Sequence, residues 1–102
     1  MRCTRRRPVP EEVRRAASLL ERRWTLSILY ASVDGATRFN EFRAALGRVP
    51  PATLTARLTE LVEAGLLERR VLDTRPPAVE YRLTPRGKQF EPVVRELVRC
   101  AR

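Results

Sequence analysis

A chain of 102 residues with 43% hydrophobic content has material for one domain with a single modest core. Its 21 Lys and Arg against 12 Asp and Glu give a formal net charge of +9, which attracts polyanions, nucleic acid above all. Histidine is absent, the cysteines are Cys3 and Cys100, and no glycine-rich phosphate loop occurs, so histidine triads and ordinary zinc sites are excluded and no enzyme, metal or cofactor is expected.

In chain order, residues 1–9 come first. Arg2, Arg5, Arg6 and Arg7 stand beside Pro8 with nothing to bury, and read as a basic flexible arm before a domain over residues 10–102. The arm lacks the apolar stretch of a secretory signal. No apolar run reaches the length of a membrane span, so a cytoplasmic chain is expected. A first helix should begin near Glu11, after Pro10, with Val13, Ala16, Ala17 and Leu20 at helical spacing. A second follows from Trp24 to Val33, with Trp24, Ile28 and Leu29 inward, and stops at Asp34-Gly35. Residues 36–38 suit a very short strand. "FNEFRAAL" reads as a third helix with Phe39, Phe42 and Leu46 on one side. "GRVPP" is a turn, with Gly47 as a C-cap and Pro51 as the first residue of a fourth helix ending at Gly65.

The period then changes. "LLERRVL" and "VEYRL" read as two strands of a hairpin, with Val79, Tyr81 and Leu83 on one side and Glu80 and Arg82 on the other. "DTRPPA" is its loop. Thr84-Pro85 is a helix start, and Phe90, Val94, Leu97 and Ala101 make a stripe on a fifth helix that Pro92 should kink. The fold class is mainly α with a small β-hairpin. A short helix, a tight turn, a second helix and a hairpin in that order make a winged helix-turn-helix.

The fourth helix poses the functional question. Leu54, Leu58 and Leu61 face a core, but the other side offers Ala52, Thr55, Ala56 and Thr59, with Arg57 at its flank and no acid before Glu60. A helix N-terminus ordinarily attracts carboxylates; their absence suits a phosphate backbone approaching the first turns. Small side chains let such a helix enter a major groove, where methyls meet thymine, Thr hydroxyls bond base edges and Arg57 reads guanine. Burial on both sides is the competing reading, and 102 residues offer too little material to cover both. The candidate base contacts are Ala52, Thr53, Thr55, Ala56, Arg57 and Thr59. The candidate strand-backbone and wing contacts are Arg38, Asn40, Arg43, Arg69, Arg70 and Arg75.

"RRWTLSILYASVDGATRFNEFRAAL", "LTARLTELVEAGLLERRV" and "RPPAVEYRLTPRGKQFEPVVREL" together resemble the HxlR-type winged helix-turn-helix regulators over Val13 to Leu97. The resemblance implies a homodimer on a roughly palindromic double-stranded DNA operator, joined through the first and last helices. The surplus of apolar positions on the last helix agrees. Val13, Leu20, Phe90, Val94, Leu97, Val98 and Ala101 are the candidate dimer residues. Three departures stand out. Relatives often carry a cysteine where Glu11 stands here; Cys3 lies eight residues earlier, either a reactive thiol among arginines or an inert one, and Cys100 reads as a small packing residue. Relatives often have Ser at Pro50, so a side-chain N-cap is missing. They also often have Gly-Gly where Glu21-Arg22 stand, so the first two helices should join differently. A protein-interaction module, or a ligand- or redox-sensing regulator with an effector pocket near Trp24 and Tyr30, are the alternatives.

Overall fold

The computed structural model describes residues 6–102, so Arg2, Cys3 and Arg5 lie outside the described residues. The order is α1 (Glu11–Leu20), α2 (Thr25–Val33), α3 (Phe39–Leu46), α4 (Pro51–Glu63), β1 (Leu67–Leu72), β2 (Ala78–Leu83), α5 (Pro85–Lys88) and α6 (Glu91–Ala101). Ile28, Leu29, Phe42, Leu54, Leu58, Leu61 and Val94 are fully or almost fully buried, so α2, α3, α4 and α6 share one core. α1 has no buried residue.

Local chemistry explains the boundaries. α1 follows Pro10 and opens on Glu11 and Glu12, which favour the positive end of the helix. Trp24, expected inside α2, instead precedes it with a left-handed φ of 82°, and its ring lies under the Arg23 guanidinium. α3 is held at its start by Glu41, whose carboxylate accepts the backbone N–H groups of Thr37 at 2.8 Å and Arg38 at 2.9 Å. Those two donors hold the carboxyl below its ordinary value of 4.5. A lowered pKa contributes stability that is present above the ordinary value and is lost as pH falls through the lowered one. Glu41→Gln should therefore lower the Tm at pH 7, and the difference from the parent should shrink as the pH is taken down through the acid range, as melts over a pH series will show. α4 begins Pro50-Pro51 without a side-chain cap and ends at Gly65, φ 82°.

β1 and β2 pair antiparallel from Leu67 opposite Leu83 to Leu72 opposite Ala78. The short strand expected at residues 36–38 is a single bridge, Arg38 opposite Glu80, beside a hydrogen bond from Tyr81 N–H to the Thr37 carbonyl at 2.7 Å. Glu80 therefore does not face water as strand alternation suggested. It is buried, with Arg82 at 2.9 Å and Arg38 at 3.8 Å neutralising its carboxylate. The fifth helix expected from Pro85 is two helices: α5 stops at Lys88, and Pro92 sits in the first turn of α6, where a proline fits, so it starts a helix rather than kinking one.

Candidate nucleic-acid interface

α4 presents two different flanks around its buried leucine stripe. Ala52, Thr55, Ala56 and Thr59 are exposed and form one continuous strip free of acids. Thr53, Arg57 and Glu60, spaced i, i+4 and i+7, are half-buried, and Arg57 and Glu60 bond the segment between α1 and α2. Arg57 does not belong to the open strip. Its side chain is only 16% exposed; Nε donates to the Arg23 carbonyl at 3.0 Å and Nη1 to Glu60 at 3.1 Å. The expectation that Arg57 reads guanine is corrected on that ground. Its pairing with Glu60 at i+3 was visible in the sequence; its carbonyl partner 34 residues back was not.

The arginines around this strip differ in availability. Arg70 is drawn to Glu68 in an ion pair open to water, a class worth about 0–1 kcal/mol that a phosphate can replace, whereas Arg38 leans at 3.8 Å on the buried Glu80. Arg43 on α3, Arg69 on β1 and Arg75 in the hairpin loop are exposed and have no acidic partner among the described residues. Asn40 is exposed in the first turn of α3. Arg48, not singled out in the sequence, is equally exposed and unpaired in the turn just before α4. Its position, two residues ahead of the double proline, was the available signal. By contrast α1 and α6 neutralise their own arginines: Arg14 and Arg15 meet Glu11, Arg95 meets Glu91, and Arg99 meets Glu96.

Apart from Val9 and Val71 on β1, the large exposed apolar residues lie on α1, α2 and α6. Val13, Tyr30, Val93 and Leu97 are large and exposed, Ala101 is exposed, and Leu20, Phe90 and Val98 are half-buried. Val94 is corrected from a dimer candidate to a residue of the chain's own core, 1% exposed, because α6 packs this side on α2. Cys100 is also corrected: it is a free, exposed thiol and not a packing residue. A groove of about 700 Å³ runs between α2, α3 and α6, lined by Tyr30, Leu26 and Leu97 among others but not by Trp24.

A short helix, a tight turn, a second helix with an open small-residue strip, and an arginine-bearing hairpin define a winged helix-turn-helix protein. The chain belongs to the HxlR-like helix-turn-helix family, whose model matches residues 19–102. It is 34% identical over 87 residues to the HTH-type transcriptional regulator YvaP of Bacillus subtilis, covering 85% of this chain and 81% of that one. It is 42% identical over 72 residues to YdeP of the same organism, covering 71% of this chain and 56% of YdeP, so it spans little more than half of that relative. The solved structure of the reduced regulator YodB from B. subtilis superposes with a TM-score of 0.80 at 32% identity, covering 92% of each chain. YodB has also been solved in diamide-treated and quinone-bound forms.

Proposed function

We propose that the protein is a cytoplasmic homodimeric transcriptional regulator that binds a roughly palindromic double-stranded DNA operator. One observation carries this reading: the exposed acid-free strip Ala52, Thr55, Ala56 and Thr59 on α4, with unpaired arginines on the elements either side. α4 enters the major groove with that strip toward base edges, and Thr53 stands at its edge. Arg43 and Arg48 hold the strand beside it, and Arg69 and Arg75 on the hairpin hold the next one. Two copies joined through the apolar surfaces of α1 and α6 place two α4 helices about 34 Å apart, one turn of DNA. The exposed Val13, Val93 and Leu97 support this pairing, because one small domain leaves them uncovered. As to a signal, Cys100 is the thiol among the described residues that chemistry of the kind applied to YodB would reach.

A salt titration tests the reading. The four arginines Arg43, Arg48, Arg69 and Arg75 around the strip, eight per dimer, give a slope of log affinity against log salt of about −7, or roughly four decades between 50 and 200 mM. Arg48→Ala and Arg75→Ala should each make the slope shallower by about 2 per dimer and weaken all sequences alike. A flat salt response would favour a protein-interaction module instead.

A further inference from the structure

α1 buries no residue fully; Ala16, Ala17, Leu19 and Leu20 are half-buried, and its link to the core rests on Leu19 and Leu20 at its end. Its direction therefore depends on the turn from Glu21 to Trp24. That turn is fastened to α4. Arg57 Nε donates to the Arg23 carbonyl at 3.0 Å, and Arg57 Nη1 donates to Glu60 Oε2 at 3.1 Å. From the turn itself, Arg22 Nη2 reaches the same Glu60 oxygen at 3.0 Å. The two α4 side chains are half-buried, so water competes for these bonds less than it does on an open helix face. The turn is also one that needs holding. Trp24 has a left-handed φ of 82°, costly for a bulky residue, and Arg23 stacks 4.8 Å above its ring.

We propose that Arg57, Glu60 and Arg22 are positioning residues that fix the spacing of the two half-sites the dimer accepts. The proposal rests on the reading above, in which α1 lies in the dimer contact and α4 in the groove. The strap joins the two. α1 is a lever: ten residues of helix are about 15 Å long, so about 10° of slack at its base moves its far end by roughly 2.6 Å. One added base pair moves a half-site by about 3.4 Å and turns it by about 35°. Discrimination between neighbouring spacings therefore requires a stiff joint at the α1–α2 turn, and the strap supplies it. Glu60, placed at the end of α4 where an acid is unfavourable for the isolated helix, has its reason here.

The test is selection of bound DNA from a random pool with the full chain, its Arg57→Gln variant and its Arg22→Gln variant, together with a melt of each. Arg22 is largely exposed on the turn, so its variant keeps the test open if Arg57→Gln folds poorly. The expected result is one half-site sequence for all three proteins, a single spacer for the parent, and two or three adjacent spacers for the variants. Against a site lengthened by one base pair, the parent should discriminate by about 100-fold and the variants by less than about 10-fold. Variants that keep the single spacer, or that lose affinity equally at every spacer along with Tm, overturn the proposal. So does a changed base preference within the half-site, which would return Arg57 to base reading. Selected sites without two-fold symmetry in the parent's pool overturn the dimeric reading itself, and the parent alone reveals that.

Discussion

Replacing Gly87 with alanine should lower the Tm by about 12 °C or more, a loss of about 3 kcal/mol or greater. Alanine is the better helix former, so by propensity alone the change would stabilise by up to about 1 kcal/mol. Sterics reverse the sign. A Cβ at Gly87 would overlap the Leu66 carbonyl oxygen and lie 2.9 Å from Leu83 Cδ2. The Leu83 methyl can rotate away, but the carbonyl cannot. Leu66 N–H is held by the Leu61 carbonyl at 2.9 Å, and the Leu66 carbonyl itself accepts the Thr84 N–H at 3.0 Å. Thr84 also caps α5 by accepting the Gly87 N–H at 3.0 Å and donates its hydroxyl to the Gly65 carbonyl. The end of α4, the end of β2 and the start of α5 thus meet at a point where only a hydrogen fits. Gly65→Ala makes a useful contrast. Its φ of 82° disfavours a side chain, but its nearest neighbour would be the flexible Arg86 at 4.0 Å, so about 1 kcal/mol is expected. Thermal melts of the two variants should separate clearly; a Gly87→Ala protein as stable as the parent would show that this junction is not packed as described.

What the sequence made legible follows from how local each signal is. "FNEFRAAL" carries its apolar spacing and its capping Glu41 within eight residues, and α3 covers that stretch. α4 is bounded by Pro51 and Gly65, and both operate within one turn of the backbone. The errors lie where a distant partner decides. Glu80 alternates like a surface residue, and its inward position is made tolerable by Arg82 on the same strand together with Arg38, far back in the chain. Arg57 resembles a base reader until the Arg23 carbonyl takes its Nε. Val94 and Leu97 belong to one apolar stripe, yet α2 buries the first and leaves the second half open. Periodicity gives the direction a stripe faces and not how far a neighbour extends along it. Pro92 was legible in principle: a proline in the first turn of a helix is ordinary, so a break just before it was the simpler reading than a kink.

The face of α4 has its own decisive variant, Ala56→Glu. Ala56 is exposed, and glutamate is a good helix former, so stability should change by no more than about 0.5 kcal/mol. Specific binding should fall by about 1000-fold. The new carboxylate enters the first two turns of a helix that carries no acid before Glu60, at the end where, in the proposed complex, backbone amides would face a phosphate. It also places a long charged chain on the strip whose small side chains permit close approach to base edges. In the proposed dimer each protomer would add one such group, and about 2 kcal/mol from each gives the factor stated. Arg43, Arg48, Arg69 and Arg75 are untouched, so binding to unrelated DNA should fall far less than binding to the operator. That difference separates a residue in the groove from one near the strands. Ala56→Ser, which adds a small hydroxyl and no charge, should keep affinity within about threefold. If Ala56→Glu binds its operator as the parent does, the exposed strip of α4 faces something other than bases. If it binds weakly but also melts early, the strip is covered by protein in the assembled dimer; retained stability with lost specificity is the combination that only an open groove-facing helix produces.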